Sequence, residues 1–400
     1  IIGGPQMAFE LGNGLKKICE ASFGLVGEAE DSLPKLLSIL QGNQANDLSS
    51  IENLIWRRGD EIMENPILPP RQDISGLAYP NYRKHFGISS IGVPYPIMTS
   101  RGCPFRCVFC NSHMSGKRWR KRPLEDVMDE LRYALKTYGI REFMVQEPVF
   151  NLRPERVLEF CSLLKQNSLV MPWFSPSGLR ADLLTPETLD AMKDAGCTEI
   201  KVGVETLVPE IFPNVEKGTT VEKILAACEM IKKSRFPLRG SFIIGLPGDT
   251  YETAMENYRL ARKVGFETME WSLLVPYPGT RAYEWVLKHG RVFHNYEEAD
   301  QVADNIADTD NIKLAFDTPE FPAEKRILAF KKISVRSGNY FFDRSAGKLS
   351  IAATLLGQIL QFDPLHFPGH LLRILRKMRL KARRGATKSQ RYVFEELPPF

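Results

Sequence analysis

From Ile97 onward the chain keeps a regular beat of a short apolar run, a Gly, Pro or Asn turn, and a longer stretch with helical spacing. The apolar runs are IMTS (97–100), EFMVQE (142–147), WFSPSG (173–178), EIKVGVE (199–205), GSFIIGL (240–246) and FETMEWSLL (266–274). Each reads as a strand. The clearest helical stretch between them spans Pro123 to Thr137. Proline occupies its first turn, and Leu124, Val127, Met128, Leu131 and Leu135 share one face. Six strand–helix units predict an α/β fold with a parallel sheet curled into a partial, TIM-like (β/α)6 barrel, short of the full (β/α)8 closure. An incomplete barrel keeps an open side for a large substrate or another domain. In such folds the chemistry sits at the carboxyl ends of the strands.

The pattern changes on either side of this barrel, which is expected over 97–295. Residues 1–65 read as strand (Ile1, Ile2), glycine turn, helix (about 6–20), strand (Phe23 to Val26) and helix (about 32–40), followed by polar sequence with pieces such as NLIW. This alternation predicts a partial Rossmann-like segment. Residues 66–96 carry Pro66, Pro69, Pro70, Pro80, Pro94 and Pro96, as an extended linker does. Residues 296–400 read as a helical C-terminal region. An acidic loop (296–310) precedes helical patterns at 322–337 and 347–362, and a basic tail runs from Arg373 to Arg391. The opening IIGGP resembles a buried strand entering a turn, so the sequence is expected to begin inside a domain.

Composition narrows the class. Of 400 residues, 43% are hydrophobic and 25% charged, which is the balance of a globular protein with a buried core. A net charge of +5 is mild, and no nucleic-acid function is expected from it. Cys19, Cys161, Cys197 and Cys228 lie far apart, and Cys161 and Cys228 fall among apolar helical neighbours as buried free thiols do. A reducing cytoplasm suits this usage better than a disulfide framework. No apolar run reaches the roughly 18 residues of a membrane span, and no secretory signal is read at the start.

The remaining three cysteines crowd into RGCPFRCVFCN (101–111). Thiolates bind soft metals, and the spacing of Cys103, Cys107 and Cys110 lets three sulfurs wrap one face of an iron–sulfur cluster. Three ligands to a four-iron cluster leave one iron open to a cofactor. A structural zinc site would need a fourth ligand, for which His113 is the candidate, and usually splits its ligands into separated pairs. A disulfide would strand the third sulfur.

CPFRCVFC, with the aromatic Phe109 before its last cysteine, resembles the radical S-adenosylmethionine (radical SAM) signature CxxxCxΦC. The resemblance covers about 97–290, with later motifs matching in order. It implies a [4Fe–4S] cluster on Cys103, Cys107 and Cys110. The open iron would chelate S-adenosylmethionine, whose reductive cleavage gives methionine and a 5′-deoxyadenosyl radical. In VQEPVFN, Gln146 and Glu147 match the second-strand motif that holds the amino group of S-adenosylmethionine. The usual pair there is acidic, so Glu147 is the better candidate; on residues alone these positions, with Asn151, also read as a strand-to-loop cap. Arg180 in SGLRADLL corresponds to a position near the cofactor, where a guanidinium suits a carboxylate, although a surface arginine is the plainer reading. Asp182 is expected to cap the following helix. Glu205, ending KVGVE, falls in a motif beside the ribose and methionine moiety; a buried carboxylate there needs a partner. GSFIIGLPGDT lacks the GK[ST] of a phosphate loop. It resembles the fifth-strand motif in which Ile243 and Gly245 pack close to adenine. VPYPGT places Pro276 at the adenine edge. Turn chemistry alone would also account for these last two.

The N-terminal piece resembles the end of the cobalamin-binding domain that precedes the barrel in one large radical SAM subgroup. Gly3 and Gly4 match its double-glycine turn, and Gly27-Glu28-Ala29-Glu30 its G-E-G-E element, with Ala29 for glycine. The D-x-H-x-x-G motif that supplies a lower-ligand histidine does not occur in this sequence, and the other reading is a Rossmann-like remnant with a structural role. The resemblance as a whole implies a radical SAM enzyme that methylates an unactivated carbon with cobalamin. A cobalamin-independent cyclisation, rearrangement or oxidation is the alternative, and an iron–sulfur electron-transfer module is the non-enzymatic one. The implied partners are a small-molecule or lipid-like substrate and an electron donor such as a flavodoxin or ferredoxin. The basic run GKRWRKRP (116–123) reads as a solvated face or as a device steering anions. HLLRILRKMRLKARR (370–384) reads as a basic amphipathic helix suited to peripheral membrane contact, or as a solvated terminal helix.

Overall fold

Apolar residues near the N-terminus alternate between two faces of a small sheet. Strands β1 (Phe23–Leu25), β2 (Leu54–Arg58) and β3 (Glu61–Glu64) pair antiparallel, and Ile2 bridges in parallel to Gly24. Leu25 and Leu54 join one core with Leu36 and Ile39, while their neighbours Val26 and Ile55 join the other with Met7 and Leu15. That is the period of two expected of a strand. Helices α1 (Gly12–Lys17) and α2 (Ser32–Leu40) supply Leu15, Leu36 and Ile39. The parallel character of the expected layer is carried by the Ile2 bridge. The Gly59-Asp60 turn instead closes β2 and β3 into a hairpin, for which two residues suffice.

This computed structural model describes residues 1–4, 7, 11–18, 20–42, 47–83, 93–111, 116–293, 312, 314–340, 348–372 and 374. They divide into two compact units. The first comprises residues 1–77, 100–105 and 110–122; the second comprises 78–99, 106–109 and 123–400. The acidic loop 296–310, His113 and all but the start of the basic 370–384 stretch lie outside the described residues.

The second unit contains the strand–helix beat. Strands β4 (Tyr95–Ile97), β5 (Phe143–Val145) and β6 (Trp173–Phe174) form one parallel sheet; β7 (Ile200–Glu205), β8 (Leu238–Ile244) and β9 (Thr268–Leu273) form another. Parallel bridges Trp173–Cys197 and Leu179–Val202 link the two, so the six strands follow chain order. Helices α3 (Leu124–Tyr138), α4 (Pro154–Gln166), α5 (Pro186–Asp194), α6 (Val221–Lys233), α7 (Tyr251–Val264) and α8 (Arg281–His289) each follow one strand. The first strand lies about two residues earlier than the IMTS run. It contains Pro96, which is tolerated because β4 is an edge of its sheet. Beyond the barrel, α9 (Ala323–Arg336) and α10 (Lys348–Phe362) realise the two C-terminal helical patterns. Among the described residues, no helix is long and apolar enough to cross a membrane.

Local chemistry sets the boundaries. Helix α3 starts after Pro123, has Glu125 and Asp126 in its first turn, and stops at Gly139, whose φ of 62° lets its N–H return to the Leu135 carbonyl. Leu135 itself is exposed, contrary to the expected apolar face. The 3.6-residue period carries that face to Ala134 and Tyr138 instead. Thr185 and Thr250 open α5 and α7 with reciprocal capping boxes. Around β5 and β6, Phe143 stacks on Trp173 at 5.9 Å, and Phe150 and Phe160 meet Trp173 edge-on. Trp173 Nε1 donates to the Ala195 carbonyl. Trp173→Ala should therefore cost about 3–5 kcal/mol, read as a lower urea midpoint with an unchanged slope; Trp173→Phe should cost less.

Candidate active site

At the carboxyl end of β4, Thr99 is held by side chains from the next unit of the barrel. Glu147 accepts the Thr99 N–H at 2.6 Å and its hydroxyl at 3.1 Å, while Arg156 on α4 donates to the Thr99 carbonyl at 3.0 Å. Glu147 is buried and Gln146 exposed; Gln146 contributes its backbone N–H to Ile97. Asn151, just beyond, exchanges two hydrogen bonds with the backbone of Arg180 at 2.8 and 2.9 Å. The motifs after the second and third strands are thus clamped to each other.

In the cysteine loop, Cys103 is buried, Cys107 and Cys110 are half-buried, and none is in a disulfide. Cys103 and Cys110 belong to the first unit, Cys107 and Phe109 to the second. Within the second unit, Val108 donates to the Val215 carbonyl at 2.9 Å and accepts from the Ala282 N–H at 3.0 Å. Phe109 and Ile243 both pack on the same two apolar clusters, one around Leu274, Ala282 and Phe316, the other around Val208, Ile211 and Leu246. These two expected site residues, from loops far apart in sequence, come to a common apolar floor. Among the described residues, no three His, Cys, Asp or Glu side chains are gathered into a group that could hold an ion. The fit of an iron–sulfur cluster to this loop therefore rests on its donor set, three free thiols within eight residues. The buried thiols of Cys161, Cys197 and Cys228 are pushed up to about 12 by desolvation, which makes them inert.

Glu205 ends β7 in a strained turn. Its φ is 66°, and the Thr206 N–H bonds back to the Val204 carbonyl at 2.9 Å, a γ-turn of the uncommon positive-φ kind. The register with β8 slips at this point. Asn257 on α7 fixes the turn, donating to the Glu205 carbonyl and accepting from the Leu207 N–H. The Glu205 carboxylate pairs with Lys217 at 2.8 Å, both side chains being buried. A Cβ on Gly203 would lie 2.8 Å from that carboxylate, so glycine leaves the pair its space. Burial pulls the Lys217 ammonium down, but Glu205 and the Cys107 sulfur outweigh it and hold it above its usual range. Arg180 joins this group by donating to the Lys217 carbonyl at 2.5 Å. Its other nitrogen binds Asp182 at 2.7 Å. Asp182 was expected to cap a helix; Thr185 does so instead, and Asp182 is engaged by the arginine. Lys217 carried no sequence signal, since it lies in the loop after β7 amid ordinary surface residues.

After β8, Gly245 (φ 91°) donates its N–H to Asp249 at 2.8 Å, and a Cβ there would press on the Arg326 guanidinium. Arg326, from α9, is buried between Phe316 and Phe321 and donates to the Phe316 carbonyl. Burial lowers it to about 10 and raises Asp249 to about 6. Pro276 is buried in the turn after β9. In the first unit, Gly4 has a φ of 91°, and Gly3 lies by the Leu25 carbonyl.

Residues 97–279 match the family model of the Radical SAM superfamily. This stretch is a radical SAM domain. The chain is 31% identical over 292 residues to an uncharacterized methyltransferase of Pyrococcus horikoshii, covering 72% of this chain and 62% of that protein. It is 24% identical over 287 residues to an anaerobic magnesium-protoporphyrin IX monomethyl ester cyclase of Rubrivivax gelatinosus, covering 70% of this chain and 51% of the cyclase. The chain thus spans only part of the length of these curated relatives. Its fold resembles that of a radical S-adenosylmethionine methyltransferase from Kitasatospora setae, TsrM, solved with cobalamin and a [4Fe–4S] cluster bound. The TM-score is 0.56 at 19% identity, covering 76% of this chain and 60% of that one.

Two tests of the radical SAM domain follow from its buried charges. Lys217→Met leaves Glu205 buried without its cation and should cost about 3–5 kcal/mol in chemical unfolding, with Lys217→Arg losing less. Asp249 titrates at about 6 in the folded chain against 3.8 ordinarily. The folded state therefore holds an extra proton between those values, so this group's contribution to stability is complete below pH 3.8 and is lost as pH rises through 6. Asp249→Asn should remove roughly 3 kcal/mol at most of pH-dependence from that window, measured as unfolding free energy against pH.

Proposed function

We propose that this chain cleaves S-adenosylmethionine reductively and uses the resulting radical to methylate an unactivated carbon with cobalamin. The observation that carries the reading is the convergence, inside a radical SAM domain, of Phe109 with Ile243 and of Arg180, Glu205 and Lys217 with one another. Cys103, Cys107 and Cys110 would hold a [4Fe–4S] cluster. When bound, it supplies one electron, and S-adenosylmethionine divides into methionine and a 5′-deoxyadenosyl radical.

In this reading Phe109 and Ile243 form the apolar wall for adenine, with the Gly245 turn and Pro276 along its edge. Glu147, with Gln146 beside it, stands at the amino-group position. Its carboxylate also fixes Thr99 just beyond the end of β4. Arg180 pairs with Asp182 and Lys217 with Glu205, so the two cations are balanced by two carboxylates, and Arg180 is the residue assigned to the cofactor's carboxylate. Gly3, Gly4 and the Gly27–Glu30 element are the residues assigned to the cobalamin side. The methyltransferase names of the Pyrococcus and Kitasatospora proteins support methyl transfer. The cyclase name of the Rubrivivax protein supports a second reading, radical chemistry that closes a ring.

The test is anaerobic. The chain is reconstituted with iron and sulfide, reduced, and given S-adenosylmethionine; 5′-deoxyadenosine is the expected product. Cluster uptake without that product would overturn the reading. Cys107→Ala should lose cluster absorbance and product together. Stoichiometric cobalamin uptake would favour methyl transfer, and its failure the ring-closing alternative.

A further inference from the structure

The G-E-G-E-like element does something the sequence does not suggest. Within the first unit, the two-residue strands Ser100–Arg101 and Arg120–Lys121 pair antiparallel and form the stem from which the cysteine loop emerges. Both arginines of that stem are taken by the acidic element. Arg120 makes a two-pronged contact with Glu28, at 2.8 Å for each prong, and Arg101 reaches Glu28 at 3.4 Å and Glu30 at 2.6 Å. Arg120 and Glu28 are largely shielded from water, their side chains 3% and 15% exposed, while Arg101 is 14% and Glu30 31% exposed. Arg120 also donates to the Arg71 carbonyl at 2.7 Å, while the Arg71 guanidinium lies 3.5 Å from Asp31.

The stem is tight where it meets the first cysteine. Gly102 has a φ of 81°, and a Cβ there would collide with the carbonyl oxygens of Arg118 and Gly116. Cys103 donates its N–H to that same Gly116 carbonyl at 3.3 Å. A side chain that pulls on Arg101, or on its strand partner Arg120, therefore acts on a segment two residues before Cys103, through a backbone with little slack.

We infer that Glu28 and Glu30 are positioning residues for the cysteine loop, holding its stem closed through Arg101 and Arg120 so that the loop retains its cluster. This rests on the cluster reading above. The carboxylates act through the arginines, and the forked geometry of Arg120 on Glu28 gives direction as well as charge. The Arg120–Glu28 pair, the more enclosed of the two, should resist screening by salt more than the Arg101–Glu30 pair.

The experiment compares the full chain with Glu28→Gln/Glu30→Gln after anaerobic reconstitution. It reads iron per chain, the rate of iron loss to a chelator, and the electron paramagnetic resonance spectrum of the reduced protein. Loss of a supporting contact typically weakens metal binding about 10–100-fold, and that is the expected rise in iron loss, with an altered spectrum. Glu52→Gln removes a carboxylate from the exposed pair with Lys35 in the same unit and should behave as the unaltered chain. Should the double variant fail to fold by circular dichroism, Arg120→Lys decides, since it keeps the charge and loses the fork; it should lose iron faster too. Folded variants that retain iron and spectrum as the unaltered chain does would overturn the latch while leaving the cluster intact. An unaltered chain that takes up no cluster would overturn the cluster reading and the latch with it.

Discussion

Parallel pairing of β4 to β9 in chain order is the constraint on which the rest of the structure depends. A parallel neighbour is reached only by a crossover, here a helix after each strand, so every strand delivers its carboxyl end to the same edge of the sheet. Thr99, Glu147, Asn151, Arg180, Glu205 and Gly245 follow strand ends separated by as many as 146 residues, from Thr99 to Gly245. Several then meet without any long loop: Glu147 on Thr99, Asn151 on Arg180, Arg180 on Lys217. The helices bury the sheet's apolar residues, and the helix caps fix where each crossover begins.

Charge at that edge is paired rather than solvated. Buried ions are costly unless their partners are well placed, and breaking such a pair costs more than forming it gains. This explains why the surroundings of Glu205 are so specific. Gly203 leaves room, Asn257 clamps the turn, and Lys217 supplies the counter-charge. Arg326 plays a comparable part behind the Gly245 turn. A residue of the C-terminal helix α9 thereby supports a motif of the barrel, and its guanidinium lies against Phe316 and Phe321 rather than in water.

The strand–helix beat was legible because it depends on local periodicity and on capping residues that act over three or four positions. Its edges were less legible. Pro96 reads as the end of the proline-rich linker and lies instead inside the edge strand β4, and Leu135 left the apolar face because a helix does not hold a seven-residue repeat over four turns. Phe109 and Ile243, expected at the site from their motifs, share an apolar floor. Asp182 was misread, because Thr185 lay a few residues on and formed the better cap. Lys217 and Arg326 were invisible: a lone basic residue has no spacing signature, and its importance comes from burial beside a particular partner.

Sequence alone determined the order of strands and helices, the radical SAM resemblance of the cysteine loop and its following motifs, and the buried free thiols of Cys161 and Cys228. The order and the thiols follow from period and apolar neighbours, the resemblance from motifs that match in sequence order. Tertiary structure decided which charges meet. Glu28 and Glu30 looked like part of a cofactor element and prove to be engaged by Arg101 and Arg120, 71 to 92 residues away. Pairing of that kind depends on distance in space and on exclusion of water. Neither quantity is written in a linear pattern.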